Sequence, residues 1–359
     1  MNETPAHRPF GEQTLPMAKT DYKSSGVDID AGNEAVARIG PLAKSTFGPE
    51  VLAGLGSFGS MVDLAPALRG YRHPVLVQSI DGVGTKVSVA RRAGRYRNLG
   101  IDVVSATTND ILVHGATPVS FLDYIANETL DPRIVEEIVE GMAETCRENR
   151  IPLVGGETAE MPSTYLPGEH DIVGCVTGLV ERDGIINGST VEAGDAVLGL
   201  PSSGLHTNGF SLARKVFFEI ARMSTEDYVE ELGCSVGEAL LRPHLNYRAA
   251  IDAWRAAGVE LRGLAHITGG GFLENIPRIL PESLSVEIAG GSWERPAIFG
   301  VIADLGGVEE REMFRTFNMG IGLVAIVPAE QVDRALEAAG AGAKRIGAVV
   351  PGAREVQVG

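Results

Sequence analysis

The sequence predicts a two-domain protein of the α/β (α+β) class. Strand-length apolar runs alternate with stretches of helical period through both halves. The 359 residues amount to about two domains. A polar segment rich in Gly, Asp and Asn, from Glu181 to Gly194, parts the halves. The expected limits are a flexible N-terminal extension over 1–20, an N-terminal domain over 21–183 and a C-terminal domain over 184–359.

In the N-terminal half, Asp30 to Lys44 reads as a helix with Asp30 as N-cap and Val36, Ile39 and Ala43 at helical spacing. Gly48-Pro49 ends it. Gly54-Leu55-Gly56-Ser57-Phe58-Gly59 matches G-x-G-x-x-G, but it lacks the preceding strand and following long helix of a dinucleotide fold. It reads instead as a loop that closes over a ligand. Pro74 to Ile80 is a strand, and Asp81-Gly82-Val83-Gly84-Thr85-Lys86 stands where it emerges. Glycines let a backbone approach an anion and present its N–H groups. Asp81 suits a metal ion and Lys86 a phosphate oxygen. These six residues alone read equally well as a tight, solvated turn.

Asn98 to His114 reads as a helix stopped by Gly115, with Pro118 beyond. It carries Asn109-Asp110, and the apolar neighbours of Asp110 call for a partner, either a metal or a basic side chain. Val119 to Ile125 is a strand. Asp131-Pro132 opens a helix to Asn149, with Asp at N-cap and Pro at N1. Pro152-Leu153-Val154 reads as a short strand whose exit loop is Gly155-Gly156-Glu157-Thr158. Asp171 to Val180 is another strand.

The second half opens on strand Ala196 to Leu200, the loop from Pro201 to Gly209 and a helix from Phe210 to Ile220. Strand, Gly/Ser/Asn loop and helix N-terminus together suit an anion, and His206 lies inside that loop. Tyr247 to Ala257 is a helix. His266-Ile267-Thr268-Gly269-Gly270-Gly271 follows a short strand, and three successive glycines suggest close approach of a ligand. Helices over 273–279, 309–317 and 329–339 and strands over 284–288, 322–327 and 346–350 complete the chain.

A formal net charge of -16 without a basic run argues against nucleic acid. An acidic protein that takes a nucleotide needs divalent cations between them. Three well-separated cysteines, none in C-x-x-C, point to reduced thiols in a cytoplasmic protein. No run suits a membrane span or a signal peptide. Asp81, Asp110 and Glu157 are the acids suited to Mg²⁺ on a triphosphate. No Walker A or protein-kinase signature occurs. Residue patterns alone thus reach an Mg-nucleotide enzyme of two α/β domains.

The wording of the motifs goes further. Tyr22 to Asn33, Asp81 to Lys86, Asn109-Asp110 with Gly115-Ala116-Thr117-Pro118 and Phe121 to Tyr124 resemble the phosphoribosylformylglycinamidine cyclo-ligases. This family is also called the aminoimidazole ribonucleotide synthetases. Val154 to Pro162, Ser202 to Gly209, the His266 loop and Glu312 to Asn318 continue the resemblance in order to the end of the chain. It implies ATP-dependent ring closure of formylglycinamidine ribonucleotide in purine synthesis. It also implies a homodimer whose N-terminal sheet forms a barrel-like interface, and a mixed α/β C-terminal domain.

Carried over by position, Asp81, Asp110 and Glu157 resemble the Mg-ATP acids. Lys86, Asp110 and His206 are the implied catalytic groups. Gly54, Gly56, Gly59, Gly82, Gly84, Thr85, Asn109, Thr268, Gly269, Gly270 and Gly271 are the implied ATP contacts, and Ser203, His206 and Asn208 the substrate contacts. Ala106-Thr107-Thr108, Gly40 and Met319 depart from the common family pattern without removing a proposed metal ligand. The rival readings are a thiamine-phosphate kinase, a selenophosphate synthetase and a non-catalytic nucleotide-binding regulator. The selenium enzyme usually needs an early Cys or selenocysteine, and no Cys precedes Cys146.

Overall fold

In the computed structural model, residues 21–340 and 342–359 are described, so the expected extension over 1–20 lies outside them. The first helix, α1 (Ile29–Lys44), is capped by Asp28 rather than Asp30. The Asp28 carboxylate accepts the Asp30 and Ala31 N–H groups. Ala35, Ile39 and Ala43 form its buried face, whereas Val36 is 48% exposed. Strands β1 (Val51–Ala53) and β2 (Met61–Val62) form an antiparallel hairpin with the first glycine stretch at its tip.

Then come β3 (Pro74–Gly82), α2 (Lys86–Ala93), α3 (Arg97–Leu112), β4 (Thr117–Asn127), α4 (Pro132–Glu148), β5 (Leu153–Glu160) and β6 (His170–Glu181). The sheet order is β3-β6-β4-β5. Its pairs are antiparallel except β4 with β5, where α4 makes the crossover. The Gly155-Gly156 pair lies inside β5, not in an exit loop. A Cβ on Gly156 would collide with the Asp123 carboxylate of the neighbouring strand.

Strand alternation gives this sheet two distinct faces. Asp81, Gly174, Asp123 and Gly156 pair in one row, and Ile80, Cys175, Leu122 and Gly155 in the next. Phe121, Ile125 and Val176, on the face of Asp123, are buried in the core with α3 and α4. The other face is open, with Leu76 55%, Ile80 71% and Leu122 39% exposed.

The second half comprises β7 (Ala196–Pro201), α5 (Phe210–Arg214), β8 (Tyr228–Val229), β9 (Cys234–Ser235), α6 (Val236–Leu240), α7 (Arg248–Ala256) and β10 (Gly263–His266). It continues with α8 (Gly271–Asn275), β11 (Leu284–Ile288), α9 (Ala297–Gly306), α10 (Glu310–Thr316), β12 (Ile321–Val327), α11 (Val332–Ala339), β13 (Lys344–Pro351) and β14 (Val356–Val358). The β8–β9 pair, α6, α9 and β14 are not among the elements expected from sequence. The helix that α5 begins widens into a π-type turn over Lys215–Ile220. The larger sheet runs β10-β12-β7-β13-β11-β14. Leu198, Leu200, Leu323 and Ala325 pack with Trp254 and Ile251 of α7 and with Ala335 of α11 on one face. Val197, Ile321, Val324 and Ile326 join the core that extends into the N-terminal half.

A polar stripe on α3 fastens the halves. Asn98, Asp102 and Asn109 recur at helical spacing and grip the backbone of residues 241–247. Asn98 Nδ2 donates to Leu241 O (2.8 Å), and Asp102 Oδ1 accepts from His244 N (2.7 Å). Asn109 Nδ2 donates to Leu245 O (2.9 Å), while its Oδ1 accepts from Tyr247 N (3.0 Å). Lys86 Nζ meets Asp102 Oδ2 at 2.7 Å and donates to His206 O (2.9 Å) and Arg242 O (2.8 Å). Both side chains of this ion pair are fully buried. Burial disfavours each charge, and their mutual attraction opposes that.

Removing one partner strands the other charge in the core. Lys86→Met is therefore expected to lower unfolding free energy by about 3–5 kcal/mol in denaturant titration. The Lys86→Met/Asp102→Leu pair should recover most of that loss.

Candidate active site

A cavity of about 650 Å³ opens between the two halves; its walls include Ser79, Asp81, Asp110, His266, Thr268 and Asn275. β3 alternation turns Ser79 and Asp81 to the helix-covered side, α3 delivers Asp110, and β10 ends on His266. Asp110 Oδ1 lies 2.8 Å from His266 Nδ1, and Asp110 Oδ2 accepts from Ser79 Oγ at 3.1 Å. Each oxygen keeps lone-pair capacity for a further partner. Asp81 Oδ1 accepts from Gly82 N at 2.7 Å. Desolvation pushes the Asp81 carboxyl up; the Gly82 N–H opposes this and the nearby Asp110 carboxylate adds to it. Two carboxylates at one cavity wall suit a divalent cation.

Glycine segments gather around these acids. Gly84 has φ 56°, and Thr85 Oγ1 lies 3.3 Å from Ser211 Oγ at the start of α5. The Thr268–Gly271 loop is shaped by Asn275, whose Nδ2 donates to Gly269 O (3.1 Å) and Gly271 O (2.8 Å). That loop adjoins Asn208 at Gly269. The segments from Asp81, from His206 and from Thr268 thus meet, with Asp81, Gly82, Gly84, Thr85, Asn208, Thr268, Gly269, Gly270 and Gly271 in or beside one region.

Other sequence-predicted positions lie elsewhere. Lys86 turns away from the cavity, because all three ammonium N–H groups are engaged in the clasp. Asn109 is likewise fully buried and committed to residues 245–247. Ser203 Oγ donates to Pro243 O. The His206 ring is 1% exposed and stacks on His244 with centroids 4.0 Å apart. Its backbone is left-handed at φ 61°, which orients the ring inward. Ser203 N donates weakly to His206 Nε2 (3.3 Å), while His206 Nδ1 has no partner among the described residues.

Glu157 does not join Asp81 and Asp110 within this chain. It pairs with Tyr124 on the opposite sheet face and lines a separate cavity of about 410 Å³ with Asp123, Asn33 and Gly56. The expected three-acid metal set therefore reduces, in one chain, to Asp81 and Asp110. Gly54, Gly56 and Gly59 belong to the β1–β2 hairpin; Gly56 borders that second cavity rather than the Asp81 cavity.

Sequence reading missed Ser79, Asp102, Asp123 and His244. Asp102 carried a signal, as a lone acid at helical spacing from Asn98 and Asn109. His244 carried none, standing outside any glycine motif. Asp123 was noted only as part of a motif, and burial pushes its carboxyl up to about 7, with nearby Glu157 contributing.

The N-terminal domain model described as "AIR synthase related protein" matches residues 66–180, and the C-terminal domain model of the same description matches residues 192–359. A phosphoribosylformylglycinamidine cyclo-ligase from Thermoanaerobacter pseudethanolicus is 47% identical over 317 residues, 88% of this chain and 93% of that one. The chain belongs to the phosphoribosylformylglycinamidine cyclo-ligase family. Other cyclo-ligases agree: that of Sorangium cellulosum is 50% identical over 88% of this chain and 90% of its own length. That of Alkaliphilus oremlandii is 46% identical over 94% and 99%. More distant structures share the fold. E. coli HypE superposes at TM-score 0.62 with 20% identity, over 89% of this chain and 92% of that one. The thiamine-monophosphate kinase of Stenotrophomonas maltophilia K279a gives 0.65 with 17% identity, over 90% and 95%. No helix among the described residues is long and apolar enough to cross a membrane.

Asp123 yields a pH test. Its carboxyl is raised from 3.8 to about 7 in the folded protein, so its stabilising contribution is present below pH 4 and lost as pH rises through 7. Asp123→Asn should match the parent near pH 4 and exceed it at pH 8 by about 2 kcal/mol, allowing for its partial exposure. Thermal melts across that range check this.

Proposed function

We propose that this chain closes the imidazole ring of 5-aminoimidazole ribonucleotide, using ATP and formylglycinamidine ribonucleotide and releasing ADP and phosphate. The observation that carries the reading is the Asp81–Asp110 pair at one cavity wall, in a chain of cyclo-ligase sequence. The chemistry asks for such a site. A formamide oxygen is a poor leaving group, and the ATP γ-phosphoryl makes it a good one. An amidine nitrogen then attacks the activated carbon and phosphate departs.

Asp81 and Asp110 are the groups suited to hold Mg²⁺, whose charge would neutralise the triphosphate. Backbone N–H groups of Gly84–Thr85 and Thr268–Gly270 suit phosphate oxygens. Asn208 and the loop that carries Ser203 and His206 border the same region and suit the second substrate. The loops gathered around the cavity hold both anions together and exclude water from the activated carbon. His206 serves through its backbone carbonyl and its stacking, and Lys86 by fixing the halves. The reading places the enzyme in the cytoplasm, as its free thiols at Cys146, Cys175 and Cys234 suit.

The open sheet face bearing Leu76, Ile80 and Leu122 supports a homodimer built by the N-terminal sheets. Thiamine-phosphate kinase chemistry gains no comparable support, since that likeness extends to the fold alone.

Purified protein with Mg²⁺, ATP and formylglycinamidine ribonucleotide should yield ADP and aminoimidazole ribonucleotide; a folded protein yielding neither refutes the reading. Asp81→Asn should lose at least about 100-fold in turnover. Its ligand-free melting temperature should equal or exceed the parent's, because the raised Asp81 carboxyl weakens the fold at neutral pH. Ile80→Asp should convert the dimer to monomer in light scattering.

A further inference from the structure

The cavity that holds Asp81 and Asp110 has two ends of different character. Along β3 its wall runs from Asp81 through Ser79 to Val77, about 13 Å at the rise of an extended strand. α3 lies alongside. Its Asp110 meets Ser79, and Ile111 Cδ1 fills the space beside Gly178, the register partner of Val77. The end remote from Asp81 therefore lies just past α3, at His114, whose backbone O accepts from Ile186 N (3.2 Å).

Asn187 and Arg278 line the cavity at that end. Gly188 brings their two segments together: its φ is 81°, and a Cβ there would collide with Ile279 O. The Ile276–Ile279 turn is also held by Arg354 Nε, which donates to Pro277 O (3.1 Å). Asn187 Oδ1 accepts from Ser189 N (3.0 Å), which leaves its amide N–H groups for another partner. Arg278 is exposed and makes no hydrogen bond or ion pair among the described residues. It is also the one lysine or arginine among the described residues of the cavity wall.

The two ends take anions in different ways. The acids at 81 and 110 need a cation before they can face a polyphosphate, whereas Arg278 takes an anion directly. Its planar guanidinium is a fork that matches two phosphate oxygens, and the Asn187 amide adds neutral donors. Formylglycinamidine ribonucleotide carries one such anion away from its reacting formamide, the 5′-phosphate. We infer that the Asn187–Arg278 end of the cavity seats the 5′-phosphate of the ribonucleotide, with Arg278 as its main anchor. The formamide is then directed toward the Asp81–Asp110 end, where the triphosphate belongs. The inference rests on the function proposed above and gives each of the two anions its own end of one cavity.

Calorimetric titration without ATP tests this, with formylglycinamidine ribonucleotide and with the matching ribonucleoside, which lacks the phosphate. The parent should favour the ribonucleotide by about tenfold or more. Arg278→Gln should weaken ribonucleotide binding about tenfold and leave ribonucleoside binding within about twofold, erasing most of that preference. Its binding of Mg²⁺ with a non-hydrolysable ATP analogue should stay within about twofold of the parent. The exposed guanidinium has no partner in the fold, so the variant should melt with the parent. A preference undiminished in Arg278→Gln overturns the inference, and so does a parent that binds both compounds equally. Equal weakening of both compounds would mark a structural role and also overturns it, as does weakening confined to the ATP analogue. Turnover of the parent with ATP decides the function separately: a parent that turns over while Arg278→Gln keeps the preference retains the function and loses the anchor.

Discussion

The Lys86–Asp102 ion pair is the constraint on which the rest of the molecule depends. It is fully buried, so it persists only where every remaining donor and acceptor is matched. The matching groups are backbone atoms of residues 206, 242 and 244, all from the other half of the chain. Asn98 and Asn109 extend the same grip along α3. One helix therefore carries both the fastening and, one residue past Asn109, a wall acid of the cavity. The placement of Asp110 against His266 follows from that fastening, since His266 belongs to the second sheet.

The economy of the site comes from strand alternation. On β3, Ser79 and Asp81 face the helices while Ile80 between them faces outward. The same alternation excludes Glu157, whose position on β5 points it to the outer side. Two acids, rather than three, share a wall. The Asp81 carboxyl is raised first by burial and further by the nearby Asp110 carboxylate.

The course of the chain was largely readable where local chemistry decides it. Asp131-Pro132 starts α4 as expected, and the strands of the second half fall close to their anticipated places. Failures cluster where tertiary contacts override local signals. β5 runs through two glycines, and at Gly156 the Asp123 carboxylate occupies the space a side chain would need. α9, apolar but for Asp304 and its glycines, offers little periodic contrast to read. At the site, the acids at 81 and 110 were legible from their glycine and helix settings. Lys86, Asn109 and Ser203 were not, since a polar residue near a glycine loop looks alike whether it faces a ligand or a buried carbonyl. His244 could be found only from the fold, which brings it to His266.

The place of β3 at the sheet margin has a consequence for the newly made polypeptide. Its outer edge leaves backbone N–H and C=O groups unpaired along a strand of nine residues. Between Pro74 at its start and Asp81 near its end, this strand contains no charged side chain to repel another copy. A folded chain with this edge uncovered is thus a template for strand addition. Covering this edge by the homodimer proposed above would protect the chain against aggregation as well.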